Sequence, residues 1–171
     1  EIDALQERYP RLAGCYAASA LQSGMTFHTL TDKAEDGEAY TIQVSLTLEA
    51  QIDVARFKRA WEYVVERHEC LRSAFTGFER DQLLQVVLKR VELPWTELDW
   101  REKSDSELLT AFDAHARAER REGFEFGTPP LMRFTLIRER DARYRFVWTH
   151  HHSLLDGWSV GAVLGEIIGY Y

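Results

Sequence analysis

The sequence predicts a mixed α/β fold in which a mixed sheet is covered by helices. Three observations predict it. Apolar residues alternate at period two over 40–48, 132–136 and 144–148. They recur at helical spacing over 54–69, between Ser104 and Gly123, and after Gly157. The 171 residues suit one domain, or one lobe of a larger one.

Each element has its own signal. Tyr40, Ile42, Val44, Leu46 and Leu48 alternate with Thr41, Gln43, Ser45, Thr47 and Glu49, which is a strand with one buried face. Before it, Thr31 to Glu38 is polar and reads as a linker. Asp53 offers an N-cap to a helix over 54–69, carried by Val54, Phe57, Trp61, Val64, Val65 and His68. Short strands are expected near 72–78 and 83–88. Ser104 and Glu107 have capping-box spacing before Leu108, Leu109, Phe112 and Ala116, and that helix should stop near Gly123. Gly127-Thr128-Pro129-Pro130 is a turn, and Glu139 to Ala142 is a second one. Met132, Phe134 and Leu136 mark the strand before the second turn. Tyr144, Phe146 and Trp148 mark the strand after it, and Val147 on its other face makes it central. Val160, Val163, Leu164, Ile167, Ile168 and Tyr171 mark a final helix. Such a mix is a sheet with helical cover.

Composition excludes several function classes. Hydrophobic residues make up 45% and charged residues 29%, enough for a core and against disorder. The net charge of -7 argues against a nucleic-acid partner, which a basic surface would serve. The run Arg117 to Glu122 mixes signs and reads as a solvated helix face. No apolar stretch approaches the length of a membrane span, and Glu1-Ile2-Asp3-Ala4 has no signal-peptide character. Cys15 and Cys70 read as two reduced thiols, not a disulfide framework. The expected location is cytoplasmic. No glycine-rich phosphate loop follows a strand, so nucleotide binding has no support.

The chemistry-bearing segment is His151-His152-Ser153-Leu154-Leu155-Asp156-Gly157. It lies where the central strand ends and a helix soon begins. Period two puts His150 and His152 on one face and His151 on the other if the strand persists that far, which disfavours a metal site. Four fixed letters, His-His-x-x-x-Asp-Gly, arise by chance at roughly 10⁻⁶ per window, so the pattern marks a family rather than a histidine run.

Here the chain resembles the condensation domains of nonribosomal peptide synthetases, within the chloramphenicol-acetyltransferase-like superfamily. Three motifs carry the resemblance, in the family's order. Ser19-Ala20-Leu21-Gln22-Ser23-Gly24-Met25-Thr26-Phe27-His28 is similar to the first. Arg67-His68-Glu69-Cys70-Leu71-Arg72-Ser73-Ala74-Phe75 is similar to the second. Trp148 to Ser159 is similar to the third.

The resemblance implies that residues 1–171 are the N-terminal lobe of a condensation domain whose C-terminal lobe is absent from this chain. Such domains form an amide between a carrier-bound acyl or peptidyl thioester donor and a carrier-bound aminoacyl acceptor. It implies no directly bound cofactor, because the substrates ride on phosphopantetheine arms. The implied partners are donor and acceptor carrier domains, the second lobe and a neighbouring adenylation domain. By resemblance, His152 faces the tunnel between lobes and carries the chemistry, while His151 and Gly157 shape the loop. Asp156 is implied to hold the loop by a salt bridge to an arginine, with Arg67 and Arg72 the candidates. Arg67 has a plainer reading as a cation at a helix C-terminus. This half alone is expected to be inactive.

Other readings stay open. Epimerization domains and other acyltransferases of the superfamily share the histidine motif, and a non-catalytic module that docks carriers has the same outline. Heterocyclization domains carry paired aspartates instead. The segment from Leu21 to Met25 is similar to the subgroup whose donors end in a D-residue, with Ser23 and Thr26 departing from it.

Overall fold

The strand read at 144–148 is the centre of the larger sheet. In the computed structural model, which describes residues 2–31, 39–78 and 82–171, the chain runs α1 (Ile2–Arg8), β1 (Leu12–Ala17), α2 (Ala20–Thr31), β2 (Thr41–Leu48) and α3 (Val54–Arg67). A single 3₁₀ turn (Glu69–Arg72) leads into β3 (Ser73–Thr76), β4 (Leu84–Leu88), β5 (Trp95–Asp99) and α4 (Asp105–Glu122). The hairpin β6 (Met132–Arg140) and β7 (Arg143–His151) then precedes α5 (Gly157–Tyr170). Beyond Thr31, the polar stretch read as a linker lies outside the described residues.

Two sheets form. The larger has strand order β2-β7-β6-β5, with β7 antiparallel to both neighbours and β5 parallel to β6, so it is mixed. The smaller is antiparallel, β1-β4-β3. β7 lies inside its sheet, which explains why it is apolar on both faces.

One face of the large sheet packs against α3 and α5. Phe57, Trp61, Val64 and Val65 are the buried stripe of α3. Trp61 is fully buried, with ring centroids 4.6 Å from Phe134, 4.9 Å from Trp148 and 5.3 Å from Phe146. Such offset and edge contacts are the favoured aromatic geometries. Val163 and Ile167 of α5 complete this core. The opposite face meets α4, whose buried residues are Leu108, Ala116 and Glu119.

Caps end the helices largely where the sequence indicates. The Asp53 side chain accepts from the Arg56 N–H, and Ser104 and Glu107 form the reciprocal capping box. Gly123 stops α4 at φ 65°, a conformation glycine adopts without strain. The helix expected over 54–69 ends earlier, at Arg67. His68 is extended at φ -104°, ψ 114°, and the next four residues tighten into the 3₁₀ turn. The turn at 139–142 reduces to Asp141 and Ala142, because the strands run to Arg140 and from Arg143. No helix among the described residues is long and apolar enough to cross a membrane.

Candidate active site

The site is built at the end of β7. The strand stops at His151, so the alternation of faces extends through His150 and His151 only. His150 lies on the Trp148 face, its ring stacked 4.6 Å from the indole. His151 lies on the other face, edge-on to Phe126 at 4.7 Å. His152 has left the strand, so it does not share the face of His150 through the pleat. Among the described residues no group of three or more His, Cys, Asp and Glu is arranged to hold a metal ion.

The three histidines have three environments. His150 is fully buried, and neither ring nitrogen has a partner among the described residues. Burial first, and the neighbouring histidines second, push it down to about 4. It is therefore neutral at pH 7.

His151 is also buried and pushed down to about 4, chiefly by burial. Its tautomer follows from its partners. The Ser153 backbone N–H donates to Nδ1 at 3.2 Å, so Nδ1 carries no proton, and the Ser153 hydroxyl lies 2.7 Å from the same atom. Nε2 is then the protonated nitrogen and donates to Thr29 Oγ1 at 3.0 Å. The Thr29 hydroxyl donates onward to the Met25 carbonyl at 2.9 Å. His151 thus ties the motif loop to α2.

His152 has the opposite tautomer. Its Nδ1 lies 2.8 Å from the Leu155 carbonyl oxygen, which only accepts, so Nδ1 carries the proton and donates. In the neutral ring Nε2 then carries the lone pair. The His152 backbone N–H donates to the Tyr40 carbonyl at 2.8 Å, fixing where the chain leaves the strand. His152 is half-buried and lines an open cleft of about 770 Å³ whose other wall is α2.

Asp156 is exposed and is the N-cap of α5. Its carboxylate accepts from the Ser159 N–H at 2.8 Å, and that bond holds its pKa below the usual carboxylate range. Nδ1 of His152 is committed to Leu155, so no His-Asp pair forms. Among the described residues, neither Arg67 nor Arg72 makes the expected salt bridge to Asp156. Arg67 lies 3.6 Å from Glu166 and donates to the Tyr170 hydroxyl at 3.4 Å. Arg72 is buried and donates to the carbonyls of Val65, at 3.1 Å, and Leu88. The physical reason is competition. Arg72 satisfies buried strand and helix carbonyls, Arg67 has a carboxylate on α5, and the Asp156 oxygens serve a helix N-terminus, which favours an anion. Gly157 is the first residue of α5, and a Cβ there would meet nothing within 4 Å.

Several residues at the site were not singled out from the sequence. Thr29, Ser153, Leu155 and Tyr40 act through a hydroxyl or a backbone carbonyl, groups that leave little trace in a sequence. Gln22 did leave one. Ser19 and Gln22 have capping-box spacing, and the box forms: the Gln22 N–H donates to Ser19 Oγ at 3.2 Å and the Ser19 N–H to Gln22 Oε1 at 2.9 Å. Gln22 Nε2 also donates to the Ser153 carbonyl at 3.3 Å. Gln22 and Thr29 therefore clip α2 to the motif segment at two points.

The chain is similar to known proteins in both sequence and fold. The sequence model of the family described as Condensation domain matches residues 12–171. The chain is 38% identical over 170 residues to a linear gramicidin synthase of Brevibacillus parabrevis, covering 99% of this chain and 2% of that protein. It is 35% identical over 156 residues to bacitracin synthase 3 of Bacillus licheniformis, covering 91% of this chain and 2% of that one. The chain thus spans a small fraction of the relatives it matches. In fold it is similar to the starter condensation domain of rhizomide synthetase RzmA, with a TM-score of 0.79 at 23% identity over 93% of this chain and 39% of that one. It is likewise similar to a four-domain nonribosomal peptide synthetase bound to AMP and glycine, with a TM-score of 0.77 at 20% identity over 93% of this chain and 12% of that one. With a family match running from β1 to the last residue and the histidine motif seated at a strand end beside a cleft, this chain belongs to the condensation-domain family.

Proposed function

We propose that this chain is the histidine-bearing N-terminal lobe of a condensation domain that joins a carrier-bound thioester to a carrier-bound amine. The observation that carries this reading is the tautomer of His152. Its Nδ1–H is held by the Leu155 carbonyl, leaving Nε2 as an acceptor at a cleft. An acceptor there suits an amine N–H.

In the reaction, the amine nitrogen bonds to the thioester carbonyl carbon, the C–S bond breaks, and the proton lost by nitrogen ends on the departing sulfur. His152 Nε2 accepts the hydrogen bond that orients the amine and handles the proton in transit. Prior deprotonation of the amine is a small task. Near neutral pH roughly a tenth to a fifth of an α-amine is already free, so it costs about 1–1.4 kcal/mol. Holding two reactants in line contributes far more, about 7–11 kcal/mol in favourable cases. Positioning is therefore the main work of His152. No covalent nucleophile is needed. Cys70 lines the cleft, but burial raises its thiol pKa, which disfavours the thiolate.

The substrates arrive on phosphopantetheine arms of donor and acceptor carrier domains, with an adenylation domain as neighbour. A second lobe supplies the other wall of the tunnel. This half alone is silent, because an open cleft neither excludes water nor positions two arms. The test is amide formation by the complete domain between an aminoacyl-carrier donor and an aminoacyl-carrier acceptor. The expected result is a carrier-bound dipeptide with the complete domain and none with residues 1–171. Inversion at the α-carbon without amide would assign an epimerase instead, and carrier binding without either product would assign a docking module.

A further inference from the structure

Two residues of the cleft wall reverse what their backbone would choose. Gly24 lies inside α2 with no positive φ, where glycine weakens a helix relative to alanine. A Cβ built there meets no atom within 4 Å, so no described neighbour requires glycine. Tyr40 is the opposite case. Its φ is 60°, in the left-handed region that glycine occupies freely and a residue with a Cβ does not. It is the only non-glycine residue with positive φ among those described. Its carbonyl accepts the His152 N–H, but glycine has the same carbonyl, so that bond does not explain a tyrosine.

What the two share is the cleft. Both line it together with His152. Tyr40 is 38% exposed, with its ring centroid 6.3 Å from that of His151 and 6.5 Å from that of His28. Leu21, Met25 and Leu154 line the same space, so the wall is largely apolar. Gln22 and Thr29 clip α2 in place, so the wall cannot simply step back to admit a larger group.

We propose that Gly24 and Tyr40 determine specificity by setting the width of the passage beside His152, admitting an apolar side chain or acyl chain of the carrier-bound substrate. Gly24 leaves the room and Tyr40 is the aromatic surface the group packs on. This rests on the condensation reading above.

The test uses the complete condensation domain with small and large aminoacyl thioesters, alanyl against leucyl. The donor is varied first with a fixed acceptor, then the acceptor with a fixed donor. Gly24→Val lowers the leucyl-to-alanyl ratio of kcat/KM by about tenfold or more in one series, the range in which hydrophobic pockets read single methylenes. Gly24→Ala, which helix propensity favours, gives a smaller drop and serves if the valine variant folds poorly. Tyr40→Gly moves the ratio the other way. Gly161→Ala, on the exposed face of α5, leaves it unchanged. Ratios that stay fixed in both series, with wild-type amide formation intact, overturn this inference alone. A wild-type domain that forms no amide from either thioester overturns the condensation reading and this inference together.

Discussion

The Nδ1–H of His152 donates to the carbonyl of Leu155 at 2.8 Å, three residues further along the same loop. A backbone carbonyl cannot take up or release the proton, so the ring orientation is fixed without a charged partner. His152 is therefore unlike a histidine held by an aspartate, where a carboxylate balances the protonated ring. A histidine held in this way is suited to orienting an amine and passing a proton on.

This orientation makes the conservative variants of His152 informative. In the complete domain, His152→Ala should lower kcat by about 10²–10⁴-fold, the usual range for a positioned proton-handling group. His152→Gln sets an amide near the place of Nε2 and should retain more turnover than alanine. His152→Asn keeps a donor near Leu155 but vacates the Nε2 position, and should resemble alanine. Single-turnover amide formation measures all three, and normal turnover by the alanine variant would remove the chemical role.

Asp156 is a helix cap, and its variants should behave as caps do. Asp156→Asn still accepts the Ser159 N–H and should leave thermal unfolding nearly unchanged, because asparagine and aspartate cap about equally well. Asp156→Ala should lower the unfolding midpoint more than Asp156→Asn, because it removes the cap acceptor. Turnover in the complete domain should fall with the loss of order in the loop. A fully inactive Asp156→Asn domain with unchanged thermal unfolding would instead give the carboxylate a direct part in the chemistry.

His150 and His151 should make the fold acid-sensitive. Both are pushed down to about 4 from an ordinary value of 6.5. Below pH 6.5 the unfolded chain takes up protons that the folded protein refuses, so stability is full above that value and falls as pH drops toward 4. Each histidine contributes a slope of about 1.4 kcal/mol per pH unit in that window. Among the described residues the His150 side chain makes no hydrogen bond that a phenylalanine would lose, so His150→Phe should roughly halve the slope. Urea unfolding at neutral and mildly acidic pH measures it, and a flat profile in the wild type would contradict the account.

Glu119 is a buried carboxylate whose hydrogen bonds outweigh its desolvation. Burial raises its pKa, but His115, 3.2 Å away, and hydrogen bonds from Thr135 and Thr149 bring it below the ordinary value. Thr135 Oγ1 lies 2.5 Å and Thr149 Oγ1 2.7 Å from its oxygens, joining α4 to β6 and β7 one residue before His150. Glu119→Ala should cost about 1–3 kcal/mol, because the Thr135 hydroxyl loses its acceptor while Thr149 Oγ1 still accepts from Gln43. Replacing Glu119, Thr135 and Thr149 together with apolar residues should recover part of that loss. Chemical unfolding of the single and triple variants tests this, and equal stabilities would contradict it.

Legibility in the sequence followed burial. β2, α3, α4 and α5 bury one face, and β6 and β7 are buried on both, so their periodicity, apolar runs or caps marked them. β1 did not stand out. It is Leu-Ala-Gly-Cys-Tyr-Ala with four exposed residues, and it is held as an edge strand by β4. β5 is five residues at the other sheet's edge. α2 lacks acidic and strongly basic residues, and only Met25 and Thr26 of its twelve are buried, so it shows no clear stripe. Its Ser19-Gln22 capping box was the available signal.

The sequence alone determined the family and the strand-to-helix seat of His151 to Gly157, because a seven-residue pattern and an apolar strand are local properties. Tertiary structure decided what each motif residue touches. It gave Asp156 to the N-terminus of α5, Arg72 to the Val65 and Leu88 carbonyls and Arg67 to Glu166, so neither of these two arginines pairs with Asp156. It also assigned opposite tautomers to His151 and His152, one facing Thr29 and Ser153 and the other Leu155. A hydrogen bond is chosen by whichever partner lies within about 3 Å at a suitable angle. Partners far apart in the chain reach that distance only once the sheet and helices have packed.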